Sequence, residues 1–229
     1  MSKTKSISSP KTWAIKRKTN KFVVTARPGP HSKKNSLPLL IILRDILKYG
    51  ETSKEVRTIL NNRIVSVDGR IVRDHAFPVG FMDILSVGNE NFIVLADHHG
   101  TVLKKIKKTG EKLEKVKRKT VLKKGKIQIT FHDGRNIVLD KTKLKTGDVV
   151  VFDLKEKKIK EEIYLQKGSE AFIMLGKKTG KKTKINDIIN VRGPQSNKVL
   201  VKVDDQEMLI PKDYVFVVSD FLEKAGVEA

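Results

Sequence analysis

The spacing of apolar residues near the start of the chain predicts a buried helix. Leucines and isoleucines recur at helical intervals over residues 39–47, and two adjacent isoleucines widen the apolar face. Ser36 precedes this run as an N-cap, Pro38 is tolerated in a first helical turn, and Gly50 follows as a stop signal. We therefore predict a largely buried helix over residues 37–48.

A second helix follows, with one apolar and one polar face. Residues 52–55 read TSKE, a capping box in which the Glu55 carboxylate reaches back to the Thr52 amide. This helix runs to about residue 62 and turns Val56, Ile59 and Leu60 inward. Its outer face then carries the polar residues Lys54, Arg57, Thr58 and Asn61.

The next pattern is that of a tight, basic hairpin. Residues 61–74 read NNRIVSVDGRIVRD, with apolar and polar positions alternating on both sides of an Asp-Gly pair. A type I′ turn needs positive φ at both central residues, which Asp-Gly supplies. Arg63, Arg70 and Arg73 surround the turn, so the hairpin presents positive charge.

Short apolar runs separated by turn residues predict strands in the rest of the chain. Pro78 and Gly80 indicate an irregular stretch over residues 75–81. We predict strands at 83–87, 91–96 and 101–106, a hairpin over 126–139 that turns at Asp133-Gly134, strands at 146–154 and 158–165, and a small barrel over 167–219.

Charge points to a polyanionic partner. The 229 residues carry a net charge of +22, divided into +10 over residues 1–36, −1 over 37–103, +10 over 104–126, +8 over 127–203 and −5 over 204–229. The basic stretches lack the sustained apolar helical face of a membrane-surface helix, so nucleic acid is favoured over a membrane. No apolar run is long enough to span a bilayer, and residues 1–9 lack the apolar core of a signal peptide, so we do not expect secretion. The absence of cysteine excludes disulfides, thiolate metal sites and cysteine nucleophiles, and fits an intracellular protein.

The first 36 residues read as a basic tail. They contain ten Lys/Arg, three prolines and little apolar periodicity, so we expect an extended segment that orders only against a partner. Trp13 lies between Lys11 and the basic run at 16–18. It is either a stacking platform for a base or an anchor against the protein's own domain.

The sequence offers no convincing catalytic or metal site. DHHG at residues 97–100 is the most tempting string, but a metal needs at least three convergent ligands, so we interpret it as a solvated turn. GKKTGKK at 176–182 precedes strand-like sequence rather than a helix, which disfavours a nucleotide-binding P-loop. We expect its amides and lysines to meet phosphates; the alternative is a solvated lysine-rich turn.

Two sets of motifs carry a family resemblance. TSKEVRTILNNRIVSVDGRIVRD followed by FPVGFMDILSV resembles the S-four type RNA-binding module, which presents two helices and a β-turn to structured RNA. That module also occurs in pseudouridine synthases and tyrosyl-tRNA synthetases, so alone it indicates only RNA binding. SPKTWAIKRK, RPGPHSKKNSLPL, HDGRNIVL, TGDVVVFDL and KGSEAFIMLG resemble, in order, the small-subunit ribosomal protein family S-four-e (S4e) of archaea and eukaryotes. The short end after Ser219 is closer to the archaeal form.

The resemblance implies an α+β, multi-domain fold in which a helix-pair-plus-hairpin module precedes β-rich domains. Its parts are a basic N-terminal extension (1–36), the RNA-binding module (37–103), a central β domain (104–166), a KOW-type SH3-like small barrel (167–219) and an acidic C-terminal end (220–229). Thr183 stands where KOW motifs usually have a second glycine, while Gly176 and Gly180 remain, so we expect the loop with altered backbone geometry.

The implied function is that of a structural constituent of the small ribosomal subunit in the cytoplasm. Its partners are ribosomal RNA and neighbouring small-subunit proteins, with no cofactor, metal, membrane or small-molecule substrate. The alternative is an RNA-modifying enzyme of the pseudouridine synthase type, for which LRD at 43–45 offers the arginine and aspartate. We expect a basic corner at the second helix and hairpin to bind phosphates, unless it is only a solvated charged face. The predicted RNA-binding residues are Lys11, Trp13, Lys16, Arg17, Lys18, Arg27, His31, Lys33, Lys34, Lys54, Arg57, Arg63, Arg70, Arg73, Lys177, Lys178, Gly180, Lys181 and Lys182.

Overall fold

The chain forms two compact units. The computed structural model describes residues 3–98, 100–107, 110–193, 195–203 and 206–218. Unit 1 comprises Met1–Leu95 and His99–Gly110, and unit 2 comprises Ala96–His98 and Glu111–Ala229. The predicted acidic end at 220–229 and His99 of the DHHG string lie outside the described residues.

Unit 1 combines short strands with two short helices. Its helices are α1 (Leu39–Ile41, continued by π-helical Ile42–Ile46) and α2 (Ser53–Asn61). Its strands in the described part are β1 (Lys3–Lys5), β2 (Phe22–Val24), β3 (Ser36–Pro38), β4 (Val65–Val67), β5 (Arg70–Ile71), β6 (Pro78–Gly80), β7 (Ile84–Val87), β8 (Glu90–Asp97) and β9 (Gly100–Lys105). They form a five-stranded sheet in the order β5-β4-β7-β8-β9 and two strand pairs, β1-β2 and β3-β6.

The N-terminal segment packs on the rest of unit 1. Trp13 is 2% exposed within the unit's hydrophobic core, and its indole N–H donates to the Ser36 carbonyl at 2.7 Å. Strands β1 and β2 pair antiparallel, with Lys5 opposite Phe22. The expectation that this segment stays extended without a partner is wrong in the structure, because one large aromatic side chain supplies burial that apolar periodicity does not reveal.

The first helix is shorter and later than predicted. Ser36 is not its N-cap, because strand β3 pairs with β6 and holds residues 36–38 extended. The same pairing gives residues 78–80 a regular strand where we expected none. The helix widens after one turn, since the Leu47 amide donates to the Ile42 carbonyl five residues back, at 2.9 Å.

The second helix begins as predicted. The Thr52 hydroxyl oxygen accepts from the Glu55 amide at 3.2 Å, which confirms the N-cap. The Glu55 carboxylate accepts from the Glu51 amide at 2.9 Å and from the Thr52 hydroxyl at 2.8 Å, so it reaches one residue further back than predicted. These bonds, the Glu51 amide first, lower the pKa of Glu55.

The first hairpin also matches its sequence pattern. Asp68 and Gly69 have φ of 50° and 76°, as a type I′ turn requires, and Val67 pairs with Arg70 across the turn. The Asp68 carboxylate accepts from the Ile84 amide at 2.9 Å, which fixes the turn against β7.

Unit 2 contains two five-stranded antiparallel sheets in its described part. The first has strands β10 (Glu111–Val121), β11 (Ile127–Phe131), β12 (Asn136–Leu139), β13 (Val149–Asp153) and β14 (Lys158–Ile163), in the order β12-β11-β10-β13-β14. The second has β15 (Glu170–Ile173), β16 (Lys182–Ile189), β17 (Lys198–Val203), β18 (Gln206–Pro211) and β19 (Val215–Val217), in the order β18-β17-β16-β15-β19. The second sheet is a half-barrel, so the chain as a whole is α+β and mostly strand.

A buried lysine joins the two sheets of unit 2. The Lys115 ammonium, on β10, donates to the carbonyls of Lys212, Asp213 and Val215 at 3.0, 3.0 and 2.7 Å. Burial lowers the pKa of Lys115 to about 8. Three carbonyl acceptors satisfy the three donors of the ammonium, so the contact holds the start of β19 against β10.

Candidate nucleic-acid interface

The outer face of α2 carries exposed cations on a well-anchored helix. Val56 and Leu60 are fully buried, whereas Lys54 and Arg57 on the opposite face are exposed. The capped first turn fixes the helix, so both cations project from a rigid surface. The predicted division into an apolar inner and a polar outer face is confirmed.

Arg57 meets the segment that leaves the hairpin. One Arg57 Nη atom lies 3.4 Å from His75 Nε2, and the Arg27 guanidinium binds the Asp74 carboxylate at 3.1 Å. His75 is nearly buried; burial first, and then the positive charge of Arg57, lower its pKa. At neutral pH the imidazole is therefore uncharged, and the positive charge of this cluster resides on the two guanidinium groups.

The hairpin carries two more arginines at its open end, from which Asp74 and His75 continue the chain. The Val72 amide donates to the Val65 carbonyl, so this register continues with Arg73 opposite Ile64, and Arg63 precedes Ile64 at the same open end of the hairpin. Both are exposed. We call Arg27, Arg57, Arg63 and Arg73 the arginine corner.

Arg70 lies at the other end of the hairpin. It follows the turn directly and is exposed, three residues before Arg73. Three residues of extended chain span about 10 Å, so Arg70 stands apart from the open end of the hairpin. The hairpin therefore carries Arg63 and Arg73 at its open end and Arg70 at its turn.

Three predicted N-terminal contacts have structural partners. Trp13 is the anchor, not a stacking platform, because its ring lies in the core of unit 1. His31 is buried and its Nε2 lies 3.0 Å from the Asp83 carboxylate. Arg17 donates to the carbonyls of Ser9 and Pro10 at 2.9 and 2.7 Å.

The other predicted cations of the N-terminal segment remain at the surface. Lys33 donates to the Thr4 hydroxyl at 2.8 Å and keeps its exposure. The lysines predicted to bind RNA are all exposed here: Lys11, Lys16, Lys18, Lys33 and Lys34. Exposed ammonium groups on a packed segment form a positive surface without the cost of ordering a free tail.

Residues 176–182, which we call the lysine loop, form a turn before β16. The amide of Gly180 donates to the Ile173 carbonyl at 3.0 Å, and Gly176 and Gly180 have φ of 112° and 92°. Lys177, Lys181 and Lys182 are exposed, and Lys178 is half-buried. Thr183 is buried within β16, where its hydroxyl donates to the Lys202 carbonyl at 2.7 Å.

The structure places one motif that suggested catalysis at an exposed turn and the other in a local ion pair. Asp97 and His98 are exposed at the turn between β8 and β9. The side chains of Arg44 and Asp45 close on each other with bonds of 2.8 and 2.9 Å. Within the described residues no group of three or more His, Asp or Glu could hold a metal ion, and no helix there is long and apolar enough to cross a membrane.

A second basic surface was missed when sites were assigned from the sequence. Residues 117–126, which we call the cationic hairpin, join β10 to β11 and contain six Lys/Arg and no acid. Lys117, Lys123 and Lys124 are exposed, and Val121 at the tip is 71% exposed. The +10 charge of residues 104–126 already indicated a basic surface in the sequence. Only the register of the hairpin shows which of these cations lie on the same projecting turn.

Comparisons with known proteins identify the family. The family model described as Ribosomal family S4e matches residues 88–159, and that of the RS4NT (NUC023) domain matches residues 2–34. The chain is 42% identical over 228 residues to the small ribosomal subunit protein eS4 of Methanocaldococcus jannaschii, covering 94% of this chain and 93% of the relative. It is 40% identical over 220 residues to the protein of that name in Methanothermobacter thermautotrophicus, covering 93% and 90%.

A solved structure agrees with these sequence relatives. The crystal structure of the 30S ribosomal protein S4e from Thermoplasma acidophilum superposes with a TM-score of 0.71 at 34% identity, covering 81% of this chain and 95% of that one. These relatives are ribosomal proteins, structural rather than enzymatic, and they give the RNA-modifying alternative no support. This chain therefore belongs to the ribosomal protein family S4e, in its archaeal form.

Proposed function

We propose that this protein is a structural constituent of the small ribosomal subunit, where it binds ribosomal RNA and neighbouring subunit proteins. Its archaeal relatives are named for that subunit, and its net charge of +22 suits a polyanion. Cations that neutralise phosphates release condensed counterions, which supplies affinity without base-specific contacts. The proposed location is the ribosome in the cytoplasm.

The arginine corner is the observation that carries this proposal. Its members come from the N-terminal segment, from α2 and from the residues just before and just after the two hairpin strands. A guanidinium group binds phosphate oxygens in a planar, bidentate geometry. Four guanidinium groups on a preformed surface can therefore bind the backbone of structured RNA, which proteins read mainly by shape and phosphate position. Lys54 extends this surface along the outer face of α2, and Arg70 adds a separate guanidinium group at the turn of the hairpin.

Unit 2 contributes two further positive surfaces to the proposal. The cationic hairpin and the lysine loop each present exposed lysines from a tight turn. We assign residues 167–219 to a KOW-type barrel, with the lysine loop as its RNA-contacting turn and Thr183 in the place of the usual glycine. The positive φ of both loop glycines and the lysine amines around them support this assignment.

We keep the other divisions inferred from the sequence as part of the proposal. They are a basic extension over 1–36, an RNA-binding module over 37–103, a central β domain over 104–166 and an acidic end over 220–229. The first sheet of unit 2 supports the central domain, since its strands run from Glu111 to Ile163.

The first test is co-sedimentation with small ribosomal subunits, followed by binding to small-subunit ribosomal RNA in filter assays across salt concentrations. We expect log affinity to fall linearly with log salt, with a slope of about −0.7 to −0.9 for each phosphate neutralised. A slope near zero refutes the proposal. A uridine-conversion assay on the same RNA checks the enzyme alternative and should show no product.

Charge reversal tests the proposed surfaces separately. Arg57→Glu with Arg63→Glu should weaken RNA binding at least tenfold while leaving the melting temperature unchanged, since neither arginine lies in the core. In unit 2, Lys124→Glu should weaken binding, whereas Lys157→Glu should not. Lys157 is the matched control for Lys124, because both are exposed turn residues with positive φ, 56° and 64° respectively. Lys157 differs in lying next to an acidic residue, Glu156.

A further inference from the structure

Unit 1 contains a cleft that the arginine corner does not use. It has a volume of about 740 Å³ and lies between the N-terminal segment and the end of α1. One wall is built from residues of the segment, including Asn20 and Phe22, and the other from Arg44, Asp45 and Lys48. Its volume falls in the range of small-molecule sites, about 300–1,000 Å³.

An exposed aromatic ring lines this cleft. Trp13, the only tryptophan, is buried against its floor, and the aromatic side chain that faces solvent is Phe22, which is 48% exposed. Backbone pairing with Lys5 fixes its position in β2. The Lys21 ammonium lies 5.6 Å from the ring centroid. The ring is fixed and half-exposed, and the ammonium lies over one of its faces, so a planar base would stack on the other face.

Polar groups in the cleft match a base and a phosphate. The Asp45 carboxylate is held by two hydrogen bonds from Arg44, and its oxygens retain lone pairs for further donors. The Asn20 carbonyl accepts from the Ser6 hydroxyl, which fixes the backbone that carries the Asn20 amide side chain. At the rim, Lys16 and Lys48 are exposed cations.

We propose that this cleft binds one unstacked base of an RNA strand. Phe22 stacks on the base, Asn20 and Asp45 accept hydrogen bonds from its edge, and Lys16 and Lys48 bind the flanking phosphates. A fixed carboxylate favours a base with adjacent N–H donors, and guanine supplies two, at N1 and N2. The positive rim selects a nucleic acid strand over an apolar peptide. The inference rests on the proposed function for the source of the RNA strand, and it adds a base-reading site to a phosphate-binding surface.

The experiment compares Phe22→Leu with Phe22→Tyr in binding to small-subunit ribosomal RNA. Phe22→Leu should lower affinity about tenfold, because loss of stacking costs a factor of that order. It should leave the salt slope unchanged, since no charge is removed, and Phe22→Tyr should keep wild-type affinity. Ile7→Ala is the control: this side chain is 81% exposed on the same segment but does not line the cleft.

A second measurement separates failure of the cleft from failure of the proposed function. Guanosine monophosphate is titrated into the intact protein, and the fluorescence of Trp13 is followed. We expect a saturable change that is stronger than with inosine monophosphate and lost in Phe22→Leu. If Phe22→Leu binds RNA with wild-type affinity, or if the nucleotide causes no saturable change in fluorescence, the proposal of a base-binding cleft is overturned and the proposed function is not. Absence of salt-dependent RNA binding by the wild type overturns the proposed function, and the nucleotide titration still decides the cleft.

Discussion

Replacing Arg57 should change the titration of His75 and so test the geometry of the arginine corner directly. The Arg57 guanidinium lies 3.4 Å from His75 Nε2 and disfavours a second positive charge there. At that distance two unit charges repel by about 1 kcal/mol even with the dielectric constant of water. Arg57→Gln removes this repulsion, so the pKa of His75 should rise, while burial continues to hold it below its ordinary value.

The sign of the effect on stability follows from proton uptake. Because the folded-state pKa of His75 is lowered, the unfolded chain binds a proton first as pH falls below 6.5, the ordinary value. Folding is therefore destabilised as pH falls through that window. The loss of stability in acid should be smaller in Arg57→Gln than in the wild type.

Phosphate binding at the corner should act in the same direction as the mutation. A phosphate on Arg57 partly cancels its charge, so RNA should raise the pKa of His75, and by reciprocity RNA affinity should increase as pH falls below 6.5. The assay is a histidine NMR titration of the free and RNA-bound protein. Lys54→Gln is the matched control, since it removes a cation from the same helix face and Lys54 is not among the charges that shift the pKa of His75. An unchanged His75 titration in Arg57→Gln would refute the geometry; a response to the mutation but not to RNA would place the phosphate elsewhere.

Three further predictions concern the stability of each unit by itself. Gly80→Ala should destabilise unit 1 by about 2 kcal/mol, measured by thermal melts, because an added Cβ would lie 2.4 Å from the His31 ring; an unchanged melting temperature contradicts it. Lys115→Met should cost about 2–4 kcal/mol by leaving three carbonyls without their shared donor, whereas Lys117→Met on the exposed part of the same strand should cost little. Thr52→Ala should cost about 1 kcal/mol through loss of the N-cap, and equal stability in urea would show that the cap is dispensable.

Turn chemistry could be predicted only in part from local sequence. At residues 68–69 the Asp-Gly pair forms the expected turn with positive φ at both positions. At 133–134 the same pair also turns a hairpin, but only Gly134 has positive φ, and the Asp133 carboxylate accepts from the Arg135 amide at 2.9 Å. The second loop is one residue longer, and loop length selects turn type.

The sequence by itself determined the features that depend on neighbours along the chain. The capped second helix, the hairpin that follows it, the strand-rich second half and the segmented positive charge were all predicted, because each depends on periodicity or on contacts within a few residues. The family motifs added the order of the parts and the ribosomal context.

Only the tertiary structure decided the features that depend on contacts between residues distant in sequence. Pairing of β3 with β6, residues that lie about 40 positions apart, turned the predicted helix start into a strand. Trp13 is buried because its indole N–H donates to the Ser36 carbonyl, whereas the ring of Phe22 remains half-exposed. Arg27 contacts Asp74 and Arg57 contacts the next residue, His75, which brings the two arginines to one surface. Each outcome depends on contacts between residues distant in sequence, whose free energy no local pattern encodes.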